Sequence, residues 1–549
     1  MSNNLKSASN SAEQKTAIVI GGGIAGLASA ALLAKSGMKV TVLEAREMVG
    51  GRAYLWQQDG FKFDMGPSWY LMPDAFDQFF KLMGTDAKKE LDLVRLDPAY
   101  QTRNEGYDEK LLIRDNLADN KALFERLEPG SSERLQAYLD SAEDTYDLAI
   151  KHFLYTNFQS PASFLHKDVI ARAGQFIKHL LTSLDKFAGQ HVKDARLRKI
   201  LDFPAVFLGA SPFDTPSMYH LMTHIDMNVG VFYPMGGLYS VIEAIERLAV
   251  QNGVQIHTNS KVTKIETTDG WATGVRVGDV LYEADVVVAT ADLHHVETKL
   301  LEPAEQTLPE KWWAKKIPGP SAMLLYLGVK GRVPQLEHHT LLYSEDWDKN
   351  FKEVFHKADG KRKIPNPASL YICAPSKTDP TVAPEGYENL FVLVPAAADP
   401  SLGSGGIDRA GDPAFEVEAD RIIDQIAKWC EIPDLAERIV VRRTMGPQDF
   451  VNDLNAWSGT ALGMAHTLKQ SAFFRPANIS KKVKGLYYAG HHTVPGIGLP
   501  MCLIGAELVY KRLTDDRSAG PIEHELQPIA SNGWKGLNRL GFKKRGATS

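Results

Sequence analysis

The sequence predicts an α/β protein in which one domain is assembled from three separated pieces of chain. Three observations carry that prediction. Residues 16–43 read as strand, glycine turn, helix and strand, with GGGIAG at the turn. Near the other end, LYYAGHHTVPGIGLPMCLIGAELVYKRL gives a short apolar run, a Gly- and Pro-rich loop and a helix in the same order. Between them, DVVVAT at 285–290 is a short strand that stops at Ala291 and Asp292. Unbroken apolar runs of four or five residues suit strands covered on both faces, as in parallel sheets flanked by helices.

The first strand is Thr16–Ile20, and Gly21, Gly23 and Gly26 come after it as GxGxxG. The first glycine permits the tight turn, the second lets the backbone approach a pyrophosphate, and the third lets helix and strand pack closely. The helix Ile24–Lys35 directs its positive N-terminal end at the phosphates. Gly37 stops it, Lys39–Leu43 is the next strand, and Glu44 ends that strand. An acid about 20 residues past such a turn accepts hydrogen bonds from the adenosine ribose. NAD and FAD share this adenosine site, so the choice between them rests on the residues after Glu44. AREMVGGRAY brings Gly50, Gly51 and Arg52 just past the acid. A glycine pair with an arginine can return the chain to the pyrophosphate and add charge-assisted hydrogen bonds, although a surface salt bridge would explain Arg52 as well. FDMGPSWY, 63–70, is a second turn-rich segment with little room at Gly66.

In the middle piece, FYPMGGLYSVIEAIERLAVQNGVQIHTNSKVTKIETTDG, residues 239–251 form an amphipathic helix, and 254–257 and 261–267 form short strands. Val262 can pair its backbone with an adenine edge. In the last piece, 486–489 is a buried strand, and Gly490, Gly496 and Gly498 with Pro495 and Pro500 make a rigid loop. The helix expected over 504–513 faces that loop with an N-terminus able to receive partial negative charge.

Composition bounds the partners. The 549 residues hold core for two to four domains, and a net charge of -5 offers no general basic surface, so no nucleic acid is expected. The three cysteines contain no CxxC pair, which argues against a disulfide framework and a zinc site; no metal is expected. MSNNLKSASNSAEQK lacks the apolar core of a signal peptide, and no run approaches the roughly 20 apolar residues that span a bilayer. The expected location is cytoplasmic, with room for attachment to a membrane surface.

Taken together, VIGGGIAGL, LEAREMVGGRAY, FDMGPSW, GASPFDTP, FYPMGGLYSV, VVVATAD, APEG, QSAFFRP and YYAGHHTVPGIGLPMCLIGAE resemble, in order, the motifs of bacterial-type phytoene desaturases. These are FAD-dependent carotenoid desaturases, related more distantly to the amine oxidases, and the resemblance runs from about residue 16 to 513. The N-terminal motifs are common to all flavin amine-oxidase relatives, whereas SPFDTP, FYPMGG and PGIGLP are more particular to the desaturases. The resemblance implies a Rossmann-type FAD-binding domain built from discontinuous segments, a substrate domain on a mixed sheet, and a helical part that contacts the membrane. It implies that Gly21, Gly23, Gly26, Glu44, Gly51 and Arg52 hold the adenosine and pyrophosphate and that Val262 binds adenine. Gly66 belongs to the same cofactor set, and Gly490, Gly498, Pro500 and Met501 would border the isoalloxazine ring. The expected FAD-binding domain is 14–80, 228–300 and 470–515, the substrate domain 81–140, 200–227 and 301–469, and the helical insert 141–199.

The family carries an Asp in the helical segment, proposed to lie near the flavin, and Asp168 in FLHKDVIAR is its best match. The family's Arg three residues later is here Ala171, with Arg172 one further on. The other reading of Asp168 is a solvated residue near a helix N-terminus. In the insert, Phe176, Ile177, Leu180, Leu181 and Leu184 recur at roughly helical spacing among an excess of Lys and Arg. That is the pattern of a basic amphipathic helix at a lipid surface, or of a core-facing helix with a solvated basic face. The tail, 516–549, contains GWKGLNRLGFKKRG, which mixes Trp534, Leu537, Leu540 and Phe542 with five basic residues and glycine, and is expected to be disordered rather than a second anchor.

The implied reaction is hydride transfer from an allylic carbon to flavin N5, then loss of a neighbouring proton, with Asp168 assisting; protonation of the polyene first is the alternative. Oxygen or a quinone would be the electron acceptor. A long apolar carotene requires an apolar tunnel, expected from 71–80, 205–219 and 321–329. The products considered are lycopene or an earlier stage from phytoene. A 3,4-desaturase, a diapophytoene desaturase, a carotene isomerase, an amine oxidase and a non-catalytic carotene carrier are the competing readings.

Overall fold

The computed structural model describes residues 14–159, 165–355, 362–530 and 533–540. The three distant pieces do meet in one sheet. Its five strands run in the order Leu486–Tyr488, Val286–Ala289, Thr16–Ile20, Lys39–Leu43 and Gln255–His257, all parallel. Helix Ile24–Lys35 lies on one face, and all its residues but Lys35 are buried. Its small side chains let helices Tyr239–Gln251 and Leu499–Thr514 pack against it, forming one core layer. On the opposite face, Ile18, Ile20, Leu43 and Val287 pack with the antiparallel sheet Val262–Thr268, Trp271–Val277 and Val280–Glu283.

The second large sheet has seven strands, ordered Ile439–Met445, Ser321–Lys330, Tyr387–Ala396, Leu370–Cys373, His339–Tyr343, Tyr100–Asn104 and Leu111–Ile113. It is mixed: His339–Tyr343 pairs parallel with Tyr100–Asn104, and the other pairs are antiparallel. Strand Ser321–Lys330 is buried on both faces, and alternation divides its side chains. Met323, Leu325 and Leu327 pack with helix Pro413–Trp429, while Ala322, Leu324 and Tyr326 face a different core that surrounds a cavity.

Three expectations are corrected. The C-terminal helix begins at Leu499, not 504, because Pro500 sits in the first turn, where its missing N–H costs nothing. The apolar stripe Phe176, Ile177, Leu180, Leu181 and Leu184 does not lie on one continuous helix. After helix Ser131–Ala149, the described chain from 165 breaks into Lys167–Ala171, Ala173–Leu181, Leu184–His191 and Ala195–Asp202, and Ser183 caps the third by accepting from the Lys186 amide. The tail is ordered through its described part. The Leu526 amide donates to the Leu82 carbonyl and the Ile529 amide to the Ser36 carbonyl, and Trp534 and Leu537 are buried with Tyr510 and Leu513. Burial of those apolar side chains outweighs the glycine content that argued for disorder. Phe542 lies outside the described residues, as do the basic residues after it, Phe164 of the insert and most of the polar N-terminal stretch.

Candidate functional site

The first turn closes by backbone contact. A Cβ on Gly26 would lie 2.0 Å from the Gly21 carbonyl oxygen, so only glycine lets the helix sit this close to the strand. The Gly22 amide donates to the Glu44 carboxylate (2.6 Å), and the Arg46 amide donates to its other oxygen (2.9 Å). Glu44 is thereby fixed beside the turn with lone pairs left for further donors. The second turn lies directly on the first: the Gly50 amide donates to the Gly22 carbonyl, and Gly23 bridges Gly50 in parallel. Val262 packs in one cluster with Leu43, the residue before Glu44, and the ladder shifts register between Val262 and Lys264.

Arg52 joins the separated pieces. Its Nε donates to the Ala461 carbonyl (2.8 Å), its Nη1 lies 3.4 Å from His491 Nδ1, and its Nη2 lies 3.9 Å from Asp292. Nη2 is buried without a hydrogen-bond partner. Gly66 protects this arrangement, since a Cβ there would lie 2.2 Å from the Arg52 carbonyl oxygen.

Asp292, just past strand Val286–Ala289, is the N-cap of helix Leu293–Lys299 and accepts from the His294 amide. It also accepts from the Trp457 amide (3.2 Å) and faces His492 Nε2 at 3.0 Å and His491 Nε2 at 3.7 Å. Burial raises its carboxyl, but the two imidazoles more than offset this and hold it well below the usual carboxylate range. Burial and the neighbouring Arg52 push both histidines down, so they stay neutral, and His492 Nε2 donates to Asp292. Sequence reasoning missed this cluster. An Asp before LHHVETK is an N-cap signal, and a histidine pair directly after Gly490 was the other visible sign.

A cavity of about 430 Å³ adjoins these residues. Its wall contains Gly51, Arg52, Gly66, Gly498, Pro500 and Met501 together with many apolar side chains from the seven-stranded sheet and the helical insert. Gly21, Gly23, Gly26, Glu44, Val262 and Gly490 lie outside that wall. Gly498 is the N-cap of helix Leu499–Thr514, so a helix N-terminus meets the cavity. Of the three expected tunnel segments, 205–219 and 321–329 contribute Val206, Phe207, Tyr219, Ala322 and Leu324. From 71–80 only Leu71 and Met72 do, because Phe76, Phe79 and Phe80 pack into the core against helix Ile24–Lys35.

Asp168 is not brought to the cavity. It is half-exposed in the first turn of helix Lys167–Ala171, 3.6 Å from His166 and 3.7 Å from His152. Arg172 pairs instead with Asp144 through three hydrogen bonds of 2.7–2.9 Å. This is the placement of a solvated residue near a helix N-terminus.

The chain matches the flavin containing amine oxidoreductase family over residues 24–508. It is 40% identical over 500 residues to a carotenoid 3,4-desaturase of Haloarcula japonica, covering 91% of this chain and 98% of that one. It is 35% identical to a zeta-carotene-forming phytoene desaturase of Myxococcus xanthus, covering 92% and 95%. Among solved structures, an oxidoreductase from Methanosarcina mazei aligns with a TM-score of 0.60 at 18% identity, over 90% of this chain and 100% of that one. Putrescine oxidase with bound putrescine aligns at 0.57 and 15%, over 92% and 98%. The mixed-sheet α/β fold is thus that of the flavin amine oxidases, and the protein belongs to the flavin containing amine oxidoreductase family. Within it the chain falls among the FAD-dependent carotenoid desaturases, oxidoreductases acting on CH–CH groups. The residues present fit FAD: stacked glycine turns, an acid beside them, and a buried guanidinium Nη2 with an unused N–H.

Proposed function

We propose that the protein desaturates phytoene towards lycopene, taking its substrate from a membrane surface and passing electrons to oxygen or a quinone. The observation that carries this reading is the cavity wall, where Arg52 and the helix N-terminus at Gly498 share one surface with Phe207, Leu324 and Phe391. Such a wall offers an unfunctionalised hydrocarbon contact along its length and a polar, cofactor-sized boundary at one place. FAD supplies a ring that accepts a hydrogen together with two electrons. In this reading Gly21, Gly23, Gly26, Glu44, Gly51, Gly66, Arg52 and Val262 hold its adenosine and pyrophosphate. Gly490, Gly498, Pro500 and Met501 border the ring, and the apolar wall excludes water and orients the chain. Asp168, which does not line this wall, has no part in the chemistry in this reading.

The membrane contact is placed on the outer face of the insert. Leu165, Ile170, Ile177 and Leu181 are exposed there, Leu181 at 77%, beside Lys167 and Lys178. Phe153 and Phe176 line the cavity just inside, so a lipid-facing surface adjoins an apolar entrance. Among the described residues no helix is long and apolar enough to cross a membrane, and peripheral attachment on the cytoplasmic side is the arrangement we favour.

A second reading is 3,4-desaturation of a related carotenoid, favoured by the higher identity to the 3,4-desaturase. The test is anaerobic. The FAD-loaded protein is mixed with liposomes carrying phytoene, and flavin and polyene absorbance are recorded together. Bleaching of the flavin as longer polyenes appear supports the first reading, and oxygen or a quinone added afterwards identifies the acceptor. An unchanged spectrum with phytoene, but bleaching with a more unsaturated carotene, supports the second.

A further inference from the structure

We propose that His466 is the catalytic base of the desaturation, receiving the substrate proton at its Nε2 atom. The inference rests on the desaturase reading and on features of the cavity that the reading does not use. Removing two hydrogens from adjacent carbons needs an acceptor for each. FAD, when bound, would supply the acceptor for one as hydride; the other leaves as a proton, and the electron pair of its C–H bond becomes the new π bond. That proton needs a base in the wall.

The wall offers few. Among the described residues lining the cavity, the side chains that bear a carboxylate or an imidazole are Asp453 and His466. Asp453 is exposed, whereas His466 is 3% exposed. The remaining polar lining groups are hydroxyls, one amide, two indoles and guanidiniums, which do not accept a proton near neutral pH.

Its neighbours fix the tautomer. Nδ1 lies 2.9 Å from the Leu208 carbonyl oxygen, which can only accept, so Nδ1 carries the hydrogen and Nε2 holds the lone pair. No protein donor is assigned to Nε2 among the described residues. This atom lies against the loop that leads into the cofactor-facing helix: a Cβ on Gly496 would be 2.5 Å from it, and Pro495, Ile497 and Gly498 line the cavity. The base and the helix N-terminus at Gly498 are therefore neighbours on one wall.

Burial and the nearby Arg475 guanidinium push His466 down to about 3, which keeps the lone pair free. So weak a base is sufficient here. Once the allylic carbon has lost its hydrogen with both electrons, the adjacent C–H bond of the delocalised cation is strongly acidic. The imidazolium so formed stands near Arg475, whose charge favours release of the proton and return of the neutral base.

His466→Asn tests this, because the Asn amide can still donate to the Leu208 carbonyl while Nε2 is removed. The expected result is unchanged FAD content and carotene binding, with kcat about 10²- to 10⁴-fold lower, the range of general acid–base catalysis, and KM unchanged. His466→Ala should recover activity with added imidazole, a rescue that a structural role would not give. Independently of turnover, ¹⁵N NMR of the FAD-loaded protein should show His466 neutral with its proton on Nδ1. Full activity of His466→Asn overturns the proposal, as does a proton on Nε2. If His466→Asn fails to fold, imidazole rescue of His466→Ala decides, and absence of rescue counts against the base. A wild-type protein inert towards every carotene overturns the desaturase reading instead.

Discussion

The parallel sheet and the cavity wall meet at Gly51 and Arg52, and they use different parts of the polypeptide. The cradle at the sheet is made of backbone: amides, carbonyls and glycines placed where a single methyl group would collide, as at Gly26 and Gly66. The cavity is made of side chains that alternate along strands and repeat along short helices, with space left between them. A backbone site tolerates almost no substitution. A side-chain wall tolerates exchange provided that volume and polarity are kept.

The largest expected effect tests the backbone half. Gly26→Val drives side-chain atoms into the Gly21 carbonyl, and the purified protein should contain no FAD by absorbance, if it folds at all. Retention of FAD would mean that the turn is not the cradle.

Next is Asp292, where the halves join. Asp292→Asn leaves Arg52 without its buried counter-charge, and breaking such a pair costs about 3–5 kcal/mol; denaturant unfolding at pH 7 measures it. The sign with pH comes from the direction of the shift. The folded carboxyl titrates below the unfolded value of about 3.9, so its stabilisation is present above that value and is lost as pH falls through the folded pKa. The wild type should lose stability below about pH 4, and Asp292→Asn should lose less over the same interval.

Arg52→Ala removes a charge-assisted donor from the proposed pyrophosphate site. At about 1.5–3 kcal/mol per such bond, FAD affinity should fall roughly 10- to 100-fold in a fluorescence titration. Ala322→Phe acts on the side-chain half alone. It should fill part of the cavity and slow carotene turnover by about tenfold or more while leaving FAD content unchanged, since losing well-matched apolar contact costs ~1–3 kcal/mol. If it abolishes FAD binding instead, the two halves are not separable. The smallest effect is Leu181→Asp. Stability should change by less than about 0.5 kcal/mol at this exposed site, while flotation with liposomes should weaken measurably.

The same division governs what could be read from sequence. Thr16–Ile20, Ile24–Lys35, Lys39–Leu43 and Tyr239–Gln251 are all found at the expected bounds, because their boundaries are set by local signals: glycines, apolar runs and caps. The stacking of the glycine turns beside Glu44 was legible for the same reason. Arg52, Asp292, His491 and Ala461 lie far apart in sequence, and their meeting depends on three segments converging, which no local pattern reveals. His466 was invisible because its meaning comes from a carbonyl at Leu208, 258 residues away. The start of the C-terminal helix was misplaced because Pro500 reads equally as a loop residue or as a first-turn residue. Asp168 was carried by a resemblance whose spacing had already slipped at Ala171.

The order of strands in the first sheet constrains how the chain is made. Thr16 hydrogen-bonds to Asp285, a partner 269 positions further along the chain, and the outer strand Leu486–Tyr488 pairs with Val286–Ala289. During synthesis the central strand Thr16–Ile20 leaves the ribosome long before its neighbour Val286–Ala289, and the edge strand Leu486–Tyr488 arrives later still. Pairing over such separations is slow and leaves apolar edges uncovered meanwhile. The nascent protein therefore depends on protection of the open edge of Thr16–Ile20 until Val286–Ala289 has emerged.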